Sequence, residues 1–144
     1  MSDNDVLESQ ESAELGQNGQ GELQTLFWVG IGASAGGLEA LKSLVQNLPK
    51  DLDATYIIAQ HLSPSHKSMM VELLARETEL KVLELQDKTE PERNTIYVTP
   101  PGKDVIVQDE MLRLTEPNKQ KVTPIPSVNR FFNTLADALG ERAV

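Results

Sequence analysis

The sequence predicts an α/β fold: a mostly parallel sheet with helices on both faces, doubly wound and Rossmann-like, with a β-hairpin inserted. Three observations predict it. The apolar run Leu26-Phe27-Trp28-Val29 ends in a glycine-rich turn, Gly30 to Gly37, and a helical pattern opens directly after it at Leu38. A second run, Ala54 to Ala59, is a continuous, mostly apolar stretch rather than an alternating one, as a parallel strand covered on both faces should be. Apolar residues at helical spacing follow each run, so strands and helices take turns along the chain, the pattern of βαβ units.

Each element has its own signal. The first strand is predicted over about Phe27 to Gly32, and the helix after it places Leu38, Leu41, Leu44, Val45 and Leu48 on one face before Pro49 ends it. The second strand follows, and then a helix from about His66 to Thr78 directs Met69, Met70, Leu73 and Leu74 inward. Lys81 to Leu85 is read as a short strand, and Thr95-Ile96-Tyr97-Val98 as another. Beyond the turn Pro100-Pro101-Gly102, Asp104 to Val107 and Met111 to Leu114 form a hairpin around Gln108-Asp109-Glu110. The last helix begins near Ser127, buries Val128, Phe131, Phe132, Leu135 and Leu139, and is stopped by Gly140. Ala143-Val144 reads as the opening of a further strand, so the domain is expected to be incomplete at its C-terminus.

Charge divides the chain unevenly. Residues 1–26 carry six acids and no Lys or Arg, out of a net charge of −9 for all 144 residues. With its Gln, Ser, Asn and Gly, this stretch lacks the apolar surface to offset its ordering entropy and is expected to be a disordered acidic leader. Residues 27–144 then form the folded part, consistent with 39% hydrophobic content overall. The leader has no basic start followed by an apolar stretch, so it is not a secretory signal. No run approaches the roughly 18 to 20 apolar residues of a membrane span. A chain without cysteine has no disulfide framework, thiol nucleophile or thiolate zinc site. No basic cluster is present to neutralise phosphates, so nucleic acid is not expected as a partner. Neither a metal nor a cofactor is expected, and the default location is cytoplasmic.

The chemistry gathers at the first turn. Gly32-Ala33-Ser34-Ala35-Gly36 spells G-x-S-x-G, a sharp strand-to-helix turn that lifts a serine oxygen above a sheet edge while backbone N–H groups point to the same place. The letters Gly30-Ile31-Gly32-Ala33-Ser34-Ala35 also satisfy G-x-G-x-x-A, the dinucleotide-binding form of this geometry. A dinucleotide fold wants an acid at the tip of the second strand, whereas a hydrolase wants a base there. That strand ends in Gln60-His61, which favours a hydrolase with Ser34 as nucleophile and His61 as base. Two strands joined by a helix are normally parallel through a right-handed crossover, so both residues would share one sheet edge. As direct neighbours, about 4.8 Å apart, the strands would bring the two side chains within hydrogen-bonding reach. The plainer readings are a helix cap for Ser34, an ordinary loop residue for His61, and a solvated first-turn residue for His66. The N–H groups of Ala35 and Gly36 are the candidate oxyanion donors. A nucleotide- or phosphate-binding domain and a catalytically silent docking module stay open as other classes.

Ile31-Gly32-Ala33-Ser34-Ala35-Gly36-Gly37, Gln60-His61-Leu62-Ser63-Pro64, Ile96-Tyr97-Val98-Thr99-Pro100-Pro101-Gly102 and Pro126-Ser127-Val128 occur in this order. Together they resemble the chemotaxis-type protein-glutamate methylesterase domain from about Phe27 to Val144, most closely the methylesterase module of fused methylesterase-methyltransferase signalling proteins. The resemblance implies hydrolysis of glutamate methyl esters on methyl-accepting chemotaxis receptors, with deamidation of receptor glutamines as a related activity. It implies Ser34 as nucleophile, His61 as general base, and a fused or associated glutamate methyltransferase as partner. The family's triad ends in an aspartate in a Gly-rich turn after the next strand, which is not reached by Val144, so this chain alone is expected to be nearly inactive. Asp104 and Asp109 belong to the hairpin region and Asp137 to the exposed face of the last helix, so none of them is assigned that role. Ala35 departs from the hydroxyl residue that chemotaxis members commonly carry beside the nucleophile.

Overall fold

The structure, a computed structural model, describes residues 26–61, 69–117 and 125–144. The acidic leader up to Thr25, and His66 with the expected start of the second helix, lie outside the described residues. Strand β1 (Phe27–Ala33) leads into helix α1 (Leu38–Gln46), strand β2 (Ala54–Gln60) and helix α2 (Met70–Ala75). Strands β3 (Lys81–Glu84) and β4 (Thr95–Val98) follow, then the hairpin β5 (Asp104–Gln108) and β6 (Met111–Thr115). Helix α3 (Val128–Leu139) and a short 3₁₀ turn, Gly140–Arg142, complete the order.

The main sheet is parallel, with strand order β1-β2-β4-β3. Every residue of β2 is buried, which is why its sequence shows no alternation. Its side chains still alternate in space. Ile57 and Ala59 join Trp28, Tyr97, Phe131, Leu135 and Leu139 in a core under α3 and the hairpin, whereas Tyr56 and Ile58 join Leu41, Val45, Met70 and Leu74 under α1 and α2. Helices therefore cover both faces, as predicted. The hairpin pairs antiparallel as a separate sheet, and its two-residue turn holds Asp109 and Glu110 at φ 55° and 57°, the left-handed values that such a tight hairpin requires. Gly140 ends α3 at φ 56°.

Three apolar residues predicted to face inward do not. Leu44, Met69 and Phe132 are 40%, 61% and 40% exposed. The cause is that these short helices bury a narrow stripe: Leu41 with Val45 in α1, Met70 with Leu74 in α2, Phe131 with Leu135 and Leu139 in α3. Met69 sits at the N-cap of α2, which also ends at Ala75 rather than Thr78. Phe132, one residue and about 100° around the helix from Phe131, leans over the open flank of β1, its ring centroid 5.7 Å from that of Phe131. On the same flank Ala143 bridges Trp28 in parallel, with Val144 N–H donating to Trp28 O at 3.0 Å and Gly30 N–H to Val144 O at 2.9 Å. The expected strand opening at the end of the chain is thus paired to β1.

Candidate active site

Strand register sets the site. Residues Phe27 to Ala33 pair one for one with Ala54 to Gln60, so the chains leave the carboxyl edge of the sheet side by side at Ser34 and His61. His61 N–H donates to Ala33 O at 2.9 Å, carrying the pairing one step past the strand ends. Ser34 is exposed and His61 half-buried, so both are open to a substrate approaching that edge. Ala35 and Gly36 form the turn between Ser34 and α1 and are also exposed. Their N–H groups stand at the start of a nine-residue helix, where unpaired donors and the positive end of the dipole gather.

Gln60 was visible in the sequence only as the neighbour of His61, yet it ties the two tips together. Its Nε2 donates to Ser34 O at 3.0 Å, and Gly37 N–H donates to the same oxygen at 3.0 Å. The residue is 2% exposed, and its Oε1 is buried without a partner. A buried amide oxygen left unmatched costs about 1–3 kcal/mol. The signal that could have exposed it is a polar side chain closing an otherwise apolar strand.

The glycines of the G-x-G stretch have a packing role instead. A Cβ on Gly32 would lie 2.6 Å from Val128 Cγ1, and one on Gly30 would lie 2.9 Å from Leu135 Cδ2 and 3.0 Å from Phe131 Cε1. These positions let α3 lie directly on β1, and they are not held in the left-handed region. Helix α3 occupies the face on which they open, and no acid stands at the β2 tip, so the dinucleotide reading loses both of its supports.

The acids fall into other duties. Asp104 is 5% exposed; its Oδ1 accepts from Ser127 N–H at 2.7 Å and its Oδ2 lies 3.5 Å from Arg130 Nη1, so it tethers the hairpin to the start of α3. Ser127 caps the same helix, its hydroxyl accepting from Arg130 N–H at 3.3 Å. Asp109 is a turn residue and Asp137 lies on an exposed helix face. Among the described residues no carboxylate is paired with His61, and no group of three His, Cys, Asp or Glu side chains could hold a metal ion. No described helix is long and apolar enough to cross a membrane.

These features define a parallel α/β domain presenting a serine turn and a histidine at neighbouring strand tips. The profile of a family described as CheB methylesterase matches residues 29–144, and the chain belongs to that family. It is 34% identical over 119 residues to a protein-glutamate methylesterase/protein-glutamine glutaminase of Caulobacter vibrioides, covering 81% of this chain and 34% of that protein. A protein of the same description from Methanosarcina acetivorans is 30% identical over 121 residues, covering 79% of this chain and 34% of the relative. The catalytic domain of the Thermotoga maritima CheB methylesterase superimposes with a TM-score of 0.71 at 24% identity, over 82% of this chain and 64% of that one, and so shares the fold. The chain spans about a third of the length of these curated relatives.

Proposed function

We propose that residues 27–144 form the N-terminal part of a protein-glutamate methylesterase domain that hydrolyses glutamate methyl esters on methyl-accepting chemotaxis receptors. Deamidation of receptor glutamines is the related activity, and a glutamate methyltransferase, fused or associated, is the opposing partner. The work is cytoplasmic. One observation carries the reading: Ala33 and Gln60 are register partners, so the residues that follow them, Ser34 and His61, leave adjacent strands at one edge.

In this mechanism His61 accepts the Ser34 hydroxyl proton as Ser34 Oγ attacks the ester carbonyl. The N–H groups of Ala35 and Gly36 receive the developing oxyanion, and the carbon–oxygen bond to the methoxy group breaks as His61 returns the proton, releasing methanol. A water deprotonated by His61 then attacks the acyl-serine, and the receptor glutamate leaves with Ser34 reprotonated. An oxyanion donor is worth roughly 3 to 4 kcal/mol in such chemistry, comparable with general-base assistance. The orienting acid is assigned to a carboxylate outside these 144 residues. Without it a serine hydrolase loses on the order of ten-thousand-fold in rate, so the chain alone is expected to turn over very slowly.

The test is methanol release from a methylated receptor by the protein with its full catalytic domain, with and without Ser34→Ala. The substitution should abolish release while leaving the far-ultraviolet circular dichroism unchanged. Release at the unsubstituted rate would end the serine proposal.

A further inference from the structure

We infer that Gln60 is a positioning residue for the oxyanion donor, locking the Ser34–Ala35 peptide plane so that the Ala35 N–H faces the reacting carbonyl. The inference rests on the esterase reading of Ser34 and names a residue which that reading does not use. A peptide unit is planar and its C=O and N–H point in opposite directions. Whatever holds the Ser34 carbonyl therefore aims the Ala35 N–H the other way.

Two donors hold that carbonyl. Gly37 N–H closes the turn locally, and Gln60 Nε2 reaches across from β2, each at 3.0 Å. The orientation of the Gln60 amide is settled by its partner, since a carbonyl accepts only from the nitrogen end. With Gln60 in place, a flip of the peptide would strand two donors at once. The same residue precedes His61, whose N–H holds Ala33 O at 2.9 Å. Consecutive residues at the β2 tip thus grip consecutive carbonyls of the β1 tip, and the base and the oxyanion donor are set by one pair of contacts.

Packing alone does not account for a glutamine here. The side chain is 2% exposed and its Oε1 has no partner, so an apolar residue of similar size would suit the site better for stability. The amide is explained by its N–H, and that N–H is spent on the nucleophile's own carbonyl.

The test is phosphonylation of Ser34 by an alkyl fluorophosphonate in the protein with its full catalytic domain, followed by mass spectrometry. In this reaction the Ser34 Oγ–phosphorus bond forms, the phosphorus–fluorine bond breaks with loss of fluoride, and the hydroxyl proton passes to His61. Because Gly37 N–H still holds the carbonyl, Gln60→Leu should lower the limiting labelling rate by about tenfold or more, up to the roughly 10²–10³-fold cost of losing one oxyanion donor outright, with the half-saturating reagent concentration within about twofold of the unsubstituted protein. Gln60→Glu supplies the second readout. A protonated glutamic acid can donate to Ser34 O, and its carboxylate cannot, so the ratio of its labelling rate to that of the unsubstituted protein should fall as pH rises. A flat ratio, or Gln60→Leu labelling within twofold of the unsubstituted rate, overturns the inference. Should Gln60→Leu fail to fold, the pH ratio of Gln60→Glu decides. Ser34→Ala separates the two levels: labelling that persists without Ser34 sinks the esterase reading itself, whereas labelling lost with Ser34→Ala but untouched by the Gln60 changes sinks only this one.

Discussion

Gly32→Ala should destabilise the protein through a single contact with α3. An added Cβ would meet Val128 Cγ1 at 2.6 Å, far inside the 3.4–4 Å of ordinary contact, and a valine methyl is carried on a stiff, branched side chain that cannot swing away. Overpacking of this kind costs about 1–3 kcal/mol. Against it stands a gain of about 0.4–1 kcal/mol, because alanine restricts the unfolded chain more than glycine and Gly32 is not in the left-handed region. The clash wins, leaving about 1–2 kcal/mol, or a fall of roughly 1 M in the urea midpoint for a slope near 1–2 kcal/mol/M. In a Val128→Ala background the nearest remaining atom is Phe132 Cζ at 3.3 Å, so the same substitution should become close to neutral there. Urea denaturation of the two single variants and the double variant, followed by circular dichroism, reads the coupling, expected at about 1 kcal/mol or more. Equal cost for Gly32→Ala in both backgrounds would refute the packing role. A loss of nucleotide binding with no coupling to Val128 would return Gly32 to a phosphate cradle.

Two further expectations follow from the acids. Asp87 is held below its ordinary value of 3.8 by the Leu114 backbone N–H at 3.0 Å and then by Arg113, so its contribution is complete above that value and drains away as pH falls through the lower folded value. Asp87→Asn should therefore flatten the acid limb of the stability profile below about pH 4, measured by urea midpoints across pH, and an unchanged limb would count against the contact. Asp104→Ala leaves the Ser127 N–H and the Arg130 guanidinium without their carboxylate at a site that is 5% exposed. A loss of about 1–3 kcal/mol is expected, read by the same denaturation, and a loss under 0.5 kcal/mol would show that the helix start is held by something else.

Much of this architecture was legible because local pattern and burial agree. The β2 run is apolar but for Thr55, without alternation, because both faces are covered, and the Ala54-to-Gln60 strand carries its boundary in the change from apolar to Gln60-His61. Ser127 and Gly140 marked the ends of α3 by capping chemistry that operates within a few residues. That Ser34 and His61 follow neighbouring strand tips at one edge was also reachable, because a right-handed crossover between successive parallel strands leaves few alternatives. Inward-facing residues were harder: Leu44, Met69 and Phe132 are apolar at plausible helical positions, but which part of a wide stripe meets the sheet depends on how each helix is docked.

The linear chain by itself determined the alternation of strands and helices, the edge to which Ser34 and His61 come, and the family, since each depends on spacing and residue type read over short distances. Only the tertiary structure decided that Gly30 and Gly32 admit a helix instead of a phosphate, that Gln60 grips the Ser34 carbonyl, and that Asp104 anchors α3. Those roles join residues 23 to more than 100 positions apart. A side chain's partner across such a separation is set by how folded elements are stacked, and no local periodicity encodes that.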